Sequence, residues 1–109
     1  MFSTLQIGLA TLILLAGANG LQQKDIEILQ SIAQCESQSR HVTDSGELLR
    51  GAVHPPDVGY FQINESVHAE KARELELDLH TLPGNILFAI HLYKESGTAP
   101  WNASKYCWG

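Results

Sequence analysis

Hydrophobic side chains recur every three to four residues in several parts of the chain, which is the pattern of amphipathic helices. The first predicted helix runs from about Lys24 to Ser39. One face of it carries Leu29, Ile32, Ala33 and Glu36, at positions i, i+3, i+4 and i+7. Three of these side chains are typical of a face that packs on a core, and the fourth is a carboxylic acid. The pattern therefore directs Glu36 toward the interior of the protein.

A second helix is predicted to begin near Ser66, because Asn64 and Ser66 are residue types that cap helix N-termini. In this interpretation Val67, Ala72 and Leu75 point inward.

A third helix is predicted to follow the sequence TLPGN and to end near Gly97. Its core-facing positions are Ile86, Ala89, Ile90 and Tyr93.

Residues 41–63 have a different character, because TDSG, RG and HPPDVG are turn signals. Between them, ELLRGAV and YFQIN are short apolar pieces that fit either a small hairpin or irregular loops. The predicted fold class is therefore mainly α with at most a little β, in one domain.

The first 20 residues, MFSTLQIGLATLILLAGANG, contain no charged side chain. The apolar run Ile7–Ala18 is shorter than the roughly 20 residues that a membrane span needs. We interpret residues 1–20 as a signal peptide cleaved after Ala18 or Gly20, with residues 21–109 as the mature domain. An uncleaved membrane anchor is the alternative, since the segment lacks Lys and Arg. The predicted location is secreted, periplasmic or cell-envelope.

The chain has two cysteines, Cys35 and Cys107. An even pair in an exported protein predicts a disulfide, and two free buried thiols are the alternative. The bond would close a loop of about 72 residues, worth roughly 4 kcal/mol in the chain-entropy model. It would also join the C-terminus to the helix that carries Glu36.

The net charge is −5, which gives no support for nucleic-acid binding or for attraction to an anionic surface. The five histidines show no paired ligand spacing such as H-E-x-x-H, so we predict neither a metal site nor a cofactor. We expect a monomer that binds its ligand in a shaped site. Contact with a membrane is expected only if the leader is not cleaved.

Two parts of the chain could carry chemistry. An acid among apolar neighbours, such as Glu36, stays protonated to higher pH and suits general-acid catalysis. Alternatively, its side chain turns to solvent or bonds a loop amide. Gln62 and Asn64 lie one strand period apart after the turn-forming Gly59, and their amides suit sugar hydroxyls and N-acetyl groups. Asn64 alternatively caps the next helix.

The segments IAQCES and VGYFQIN together resemble the soluble lytic transglycosylase and goose-type lysozyme group, which cleaves peptidoglycan. That pattern has a helix ending in Glu-Ser, then Gly-hydrophobic-hydrophobic-Gln-Ile-Asn, then a helix with Asn, apolar residues and an aromatic residue. The matching parts here are Glu36-Ser37, Gly59–Asn64 and Gly84–Tyr93. The resemblance spans about residues 28–108, and the closing WNASKYCW is similar to small exported members.

The resemblance implies an α+β lysozyme-like fold with Glu36 as the catalytic acid/base, acting on peptidoglycan glycan strands. Ser37 would position the substrate or the carboxylate. Together with the amide argument above, the predicted substrate-binding residues are Ser37, Gly59, Tyr60, Gln62, Asn64 and Tyr93. One departure is that many members have an Ala-Tyr-Asn motif where this chain reads HLYKES, so the Asn after Tyr93 is missing.

The reaction implied is the single-carboxylate lyase route, which forms 1,6-anhydro-muropeptides at the MurNAc-GlcNAc bond. A hydrolytic lysozyme would need a second acid to hold a water, and Asp57 is the nearest candidate, with Asp44 and Glu47 behind it. A non-catalytic glycan-binding module is a further alternative, and Trp101 is a candidate for stacking on a sugar.

Overall fold

The computed structural model describes residues 3–109, and its fold is mostly helical with one small sheet. In chain order the elements are α1 (Thr4–Ala18), α2 (Gln23–Ser37), β1 (Asp57–Val58), β2 (Ile63–Asn64), α3 (Glu65–Glu74), α4 (Leu82–Ser96), a 3₁₀ helix (Ala99–Ser104) and α5 (Lys105–Trp108). The predicted mainly α class with little β is confirmed. Within residues 3–109, none of the helices is both long and apolar enough to cross a membrane.

Helix α2 packs through the predicted face, since Leu29, Ile32 and Ala33 are completely buried. It ends two residues earlier than predicted. Gln38 and Ser39 adopt φ values of 56° and 57°, which lie in the left-handed region and cannot continue an α-helix. The early end places Glu36 in the last turn of the helix.

Among the described residues, helix α4 buries more residues than any other helix, and its boundaries follow from local signals. The Thr81 hydroxyl accepts a hydrogen bond from the Gly84 amide at the N-terminus, and Gly97 follows the last helical residue with a φ of 60°. Its buried positions include Ile86, Ala89 and Ile90, as predicted.

Helix α3 begins at Glu65, directly after Asn64, whose side chain accepts a hydrogen bond from the Val67 amide. Only Ala72 of the three expected inward positions is buried; Val67 is 68% exposed and Leu75 is 39% exposed. The prediction for those two is wrong. Val67 and Ala72 are five residues apart, which at 3.6 residues per turn places them about 140° apart around the helix. Leu75 lies beyond the end of the helix.

Strands β1 and β2 form an antiparallel pair in which Asp57 is opposite Asn64 and Val58 is opposite Ile63. They flank a tight turn, the hairpin turn (residues 59–62), which begins and ends with positive φ at Gly59 and Gln62. A hairpin was one of the two alternatives. Its first strand belongs to the Pro-rich segment rather than to ELLRGAV, which contributes only isolated bridges.

Helix α1, within the predicted leader, packs on α4 and α2 and buries Leu12 and Ala16 completely. Gly8 lies against the ring of Tyr60, where a Cβ atom would be only 2.7 Å from Tyr60 Cε1. The large apolar side chains on its outer face that stay exposed are Leu5, Ile7, Leu9, Ile13 and Leu14. Residues 1–2 lie outside the described residues, and cleavage of residues 1–20 stays a prediction.

Candidate active-site cleft around Glu36

Glu36 lies where two clefts meet. The histidine-side cleft, which His54 and His68 line, has a volume of about 420 Å³. The arginine-side cleft, which Arg40 and Arg50 line, has a volume of about 460 Å³. Glu36 and Gln62 line both of them. The polar lining of the histidine-side cleft adds His54, Asp57, Asn64 and His68. The arginine-side cleft adds Arg40, Asp44 and Arg50. Glu36 and Gln62 therefore form the boundary that the two clefts share.

The half-buried position of Glu36 raises the pKa of its carboxyl group above the ordinary value. Burial is the largest cause. The hydrogen bond from Ser104 to Oε2, at 2.5 Å, opposes it, and the negative charge of Asp57 raises the pKa further. Among residues 3–109, no Lys, Arg or His side chain forms an ion pair with Glu36. The site thus favours a protonated acid, as a general acid requires.

Asn85 holds the hairpin turn in place through its side-chain amide. It is completely buried, and its Oδ1 accepts from the Phe61 amide at 2.9 Å. Its Nδ2 donates to the carbonyl oxygens of Val58 at 2.9 Å and Leu79 at 3.0 Å. All the polar atoms of this side chain are therefore used to hold backbone, and the turn that carries Gln62 is fixed to α4.

His41 holds the same turn through a hydrogen bond to its ring. Its Nδ1 accepts from the Tyr60 amide at 3.1 Å, so its proton lies on Nε2, which donates to the His80 carbonyl at 2.7 Å. Burial lowers the pKa of His41 and favours this neutral form. A Cβ on Gly59 would approach both Asn85 Nδ2 and His41 Cε1 to 2.6 Å. Only glycine fits there, and sequence analysis gave no role to His41 or Asn85.

Ser37 is buried, and its hydroxyl donates to the Tyr60 carbonyl at 2.7 Å. It therefore positions the hairpin turn. Ser37 also lines the arginine-side cleft with Glu36, and its role in positioning the substrate or the carboxylate stays a prediction.

The predictions that Gly59 and Tyr60 line the cleft are wrong. Gly59 is buried beneath the turn, and Tyr60 is 1% exposed with its ring against Phe61 and Gly8. The two residues shape the turn from inside.

Gln62 and Asn64 do face the cleft. Gln62 reaches both clefts, and its Nε2 donates to the Gly59 carbonyl at 3.0 Å. Asn64 lines the histidine-side cleft while its Oδ1 caps α3. Both of the roles considered for Asn64 are therefore compatible with its position.

Tyr93 lies away from Glu36, which corrects its predicted place in the site. Its hydroxyl donates to Asp25 Oδ1 at 2.7 Å, and burial with this contact raises the pKa of Tyr93 to about 12. Asp25 is in the first turn of α2 and Glu36 in the last, so a rise of 1.5 Å per residue separates them by about 16 Å along the helix. Tyr93 joins α4 to the other end of α2.

The C-terminal segment (residues 99–108) completes the histidine-side cleft. Cys107 forms the predicted disulfide with Cys35, with Cα atoms 6.0 Å apart. Trp101 is 3% exposed, and its Nε1 donates to the Phe61 carbonyl at 3.1 Å. Its ring supports the cleft and is too buried to offer a stacking face. Ser104 was missed by sequence analysis, because nothing in WNASKYCW marks one serine as a partner of Glu36.

No protein-family model, no curated protein and no solved structure matches this chain. Within residues 3–109, no group of three His, Cys, Asp or Glu side chains is arranged to hold a metal ion. A half-buried acid with a raised pKa and no ion-pair partner among residues 3–109 is chemically able to donate a proton.

Proposed function

We propose that this protein is a peptidoglycan-cleaving lytic transglycosylase with Glu36 as its catalytic acid/base. The observation that carries the proposal is the placement of Glu36, a half-buried acid with no cationic partner among residues 3–109, at the junction of two clefts. The resemblance of the Glu-Ser and Gly-Tyr-Phe-Gln-Ile-Asn segments to cell-wall glycosidases supports the same conclusion.

The lining of the clefts suits a glycan strand. Gln62 Nε2, Asn64 Oδ1 and His54 Nδ1 are bonded within the protein. Gln62 Oε1, Asn64 Nδ2, His54 Nε2 and the ring of His68 are groups suited to hydrogen-bond hydroxyl and N-acetyl groups. Because the two clefts share Glu36 and Gln62, a strand that occupied both would place an internal glycosidic bond beside the acid. The proposed substrate is therefore a strand rather than a single sugar.

In the proposed reaction Glu36 first donates its proton to the glycosidic oxygen as the bond to C1 of N-acetylmuramic acid breaks. Positive charge develops on the sugar, and the negative charge of Asp57 in the same cleft stabilises it electrostatically. The Glu36 carboxylate then takes the proton from the muramoyl 6-hydroxyl as that oxygen bonds to C1. The product is a 1,6-anhydro sugar, and no water is consumed.

A hydrolytic lysozyme is the second candidate, and the position of Asp57 favours it. Asp57 shares the histidine-side cleft with Glu36 and raises the pKa of Glu36, so two carboxyl groups lie in one site. Asp44 is a weaker candidate, because it lies on the other side, exposed and paired with Arg40 at 2.8 Å. Glu47 is exposed and bonds only its own loop.

The test is to incubate the purified protein with peptidoglycan sacculi and to measure the masses of the soluble products by mass spectrometry. Products lighter by one water than hydrolysed muropeptides, and without reducing ends, are expected for the lyase. Products with reducing ends would assign hydrolysis. Protein that sediments with sacculi but releases nothing would contradict both enzymes and indicate a glycan-binding module.

A further inference from the structure

Ser104 is the one residue of the C-terminal segment that hydrogen-bonds Glu36. We infer that Ser104 is a positioning residue for the acid: by holding Oε2 of Glu36, it leaves Oε1 as the atom that gives the proton to the substrate and later takes one back. The inference rests on the proposed function, and it assigns the two oxygens of one carboxyl group to different tasks.

Hydrogen counting supports the direction of this bond. The Ser104 hydroxyl has one proton and two acceptors in reach, Glu36 Oε2 at 2.5 Å and the Trp101 carbonyl at 3.1 Å. Trp108 Nε1 donates to that same carbonyl at 3.1 Å and to Ser104 Oγ at 3.0 Å. The indole occupies one lone pair of that carbonyl, and the carbonyl contact is the longer of the two, so the serine proton is assigned to Oε2. A spacing of 2.5 Å is typical of a hydroxyl that donates to a carboxylate.

The same bond fits both protonation states of Glu36. When Oε1 carries the proton, Oε2 is a carbonyl-type oxygen that still accepts from Ser104. When the proton has left, Oε2 belongs to a carboxylate and accepts more strongly. The carboxyl plane therefore keeps one orientation through the cycle, and no rearrangement is needed between proton donation and proton removal.

The segment that carries Ser104 is fixed at two points. Trp101 Nε1 donates to the Phe61 carbonyl in the hairpin turn, which joins the segment to the side of the cleft that carries Gln62. Three residues after Ser104, the disulfide joins the segment to Cys35, the residue next to Glu36. The serine is therefore placed relative to both the acid and the substrate-facing turn.

The inference predicts a change in pH dependence. Ser104 holds the pKa of Glu36 down against burial and Asp57, so its removal should raise that pKa further. The charged or titratable groups that line the two clefts with Glu36 are His54, Asp57 and His68 on one side and Arg40, Asp44 and Arg50 on the other. None of these six residues is substituted in a Ser104 variant. A general acid must be protonated, so the alkaline fall in activity should move to higher pH.

The experiment compares the full chain with Ser104→Ala, Ser104→Thr and the control Ser31→Ala, which changes an exposed serine on α2. Two quantities are measured against pH: the carboxyl carbon shift of Glu36 by NMR, and the rate of product release from sacculi. Thermal melting and intact mass verify the fold and the disulfide in every variant.

We expect Ser104→Ala to titrate Glu36 at higher pH than wild type, and to release product roughly tenfold more slowly at the wild-type optimum. Ser104→Thr should restore both quantities, and Ser31→Ala should match wild type. Equal titration midpoints in Ser104→Ala and wild type would overturn the inference, even if activity fell. An inactive wild type would refute the proposed function, while the titration would still decide whether Ser104 holds Glu36.

Discussion

Two glutamates of this protein line clefts of nearly equal size and have opposite electrostatics. Glu36 borders the histidine-side cleft of about 420 Å³, and Glu65 borders a cleft of about 410 Å³ beside α3. Glu65 accepts hydrogen bonds from Arg50 and His80, and these contacts lower its pKa. Burial raises the pKa of Glu36. The size of a cleft does not separate a structural acid from a candidate catalyst, but the presence of a cationic partner does.

Helix geometry contributes to the same difference. Glu65 is the first residue of α3, where the positive end of the helix dipole stabilises a carboxylate. Glu36 is the penultimate residue of α2, where the negative end of the dipole disfavours one. The backbone and the side chains around each acid therefore act in the same direction, and each glutamate is suited to one protonation state.

The largest expected effect comes from neutralising each acid in turn. Glu36→Gln should lower the rate of product release by roughly 10²–10⁴-fold, because the amide has no acidic proton to give. The matched change Glu65→Gln should leave the rate near the wild-type value, since Glu65 lies outside both clefts around Glu36. Initial rates on labelled sacculi would measure both. Equal losses in the two variants would remove the distinction between the glutamates.

The second effect concerns the disulfide, which lies beside Glu36 and not beside Glu65. Replacing both cysteines, Cys35→Ser with Cys107→Ser, should cost about 4 kcal/mol of unfolding free energy for a closed loop of 72 residues. Denaturant unfolding measures this cost. Hydrogen exchange should show a larger loss of protection in residues 99–108 than in α3, because local opening of the released segment adds to the global loss. Equal losses in the two regions would contradict a local role.

A third effect tests the hairpin turn, which carries Gln62 beside Glu36 and leads through β2 to Glu65. Asn85→Ala should cost about 2–4 kcal/mol, because the Phe61 amide and two carbonyl groups lose their buried partner. Asn102→Ala, on the exposed surface, is the control and should be nearly neutral. Thermal and denaturant melts compare the two. A neutral Asn85 variant would mean that the turn does not depend on this side chain.

The sequence was most informative where structure depends on local signals. Helices α2 and α4 were predicted because their hydrophobic residues recur at helical spacing within a short stretch of chain, and Gly97 marks the end of α4. The predicted inward positions of Val67 and Leu75 were wrong. The ten-residue helix α3 buries only Ala72, Val67 is out of helical phase with it, and Leu75 lies beyond the helix end. The left-handed Gln62 also had no local signal, because the residue is not one that favours positive φ.

The candidate site divides in the same way. Glu36 and Gln62 were predicted from spacing and from the motif resemblance, and the structure places both at the clefts. Ser104 is 68 residues from Glu36 in the chain, and its role depends on a fold-level contact that no local pattern encodes. Tyr93 was placed in the site by its match to an aromatic position. The packing of α4 instead directs its hydroxyl to Asp25.

The smallest effect is on the pH dependence of stability, and it should have opposite signs for the two glutamates. The raised pKa of Glu36 means that its contribution is full below its unfolded pKa and is lost as pH rises through the folded value. The lowered pKa of Glu65 means that its contribution is present above its unfolded pKa and is lost as pH falls through the folded value.

Relative to wild type, Glu36→Gln should therefore gain stability between acid and neutral pH, and Glu65→Gln should lose it. The difference for Glu65→Gln should stay below about 1 kcal/mol, since the groups that contact Glu65 are half exposed. Melting temperatures from pH 3 to 7 would measure this (a range chosen around the ordinary pKa of a carboxyl group). Changes of the same sign in both variants would contradict the comparison.

The most direct test of the account is the mass spectrum of soluble material from sacculi digested in parallel by wild type, Glu36→Gln and Glu65→Gln. We predict 1,6-anhydro-muropeptides, each lighter by one water than its hydrolysed counterpart, from wild type and Glu65→Gln, and none from Glu36→Gln. Release of muropeptides by Glu36→Gln at the wild-type rate would contradict the assignment of Glu36 as the catalytic acid. A failure of all three proteins to release muropeptides would contradict it as well.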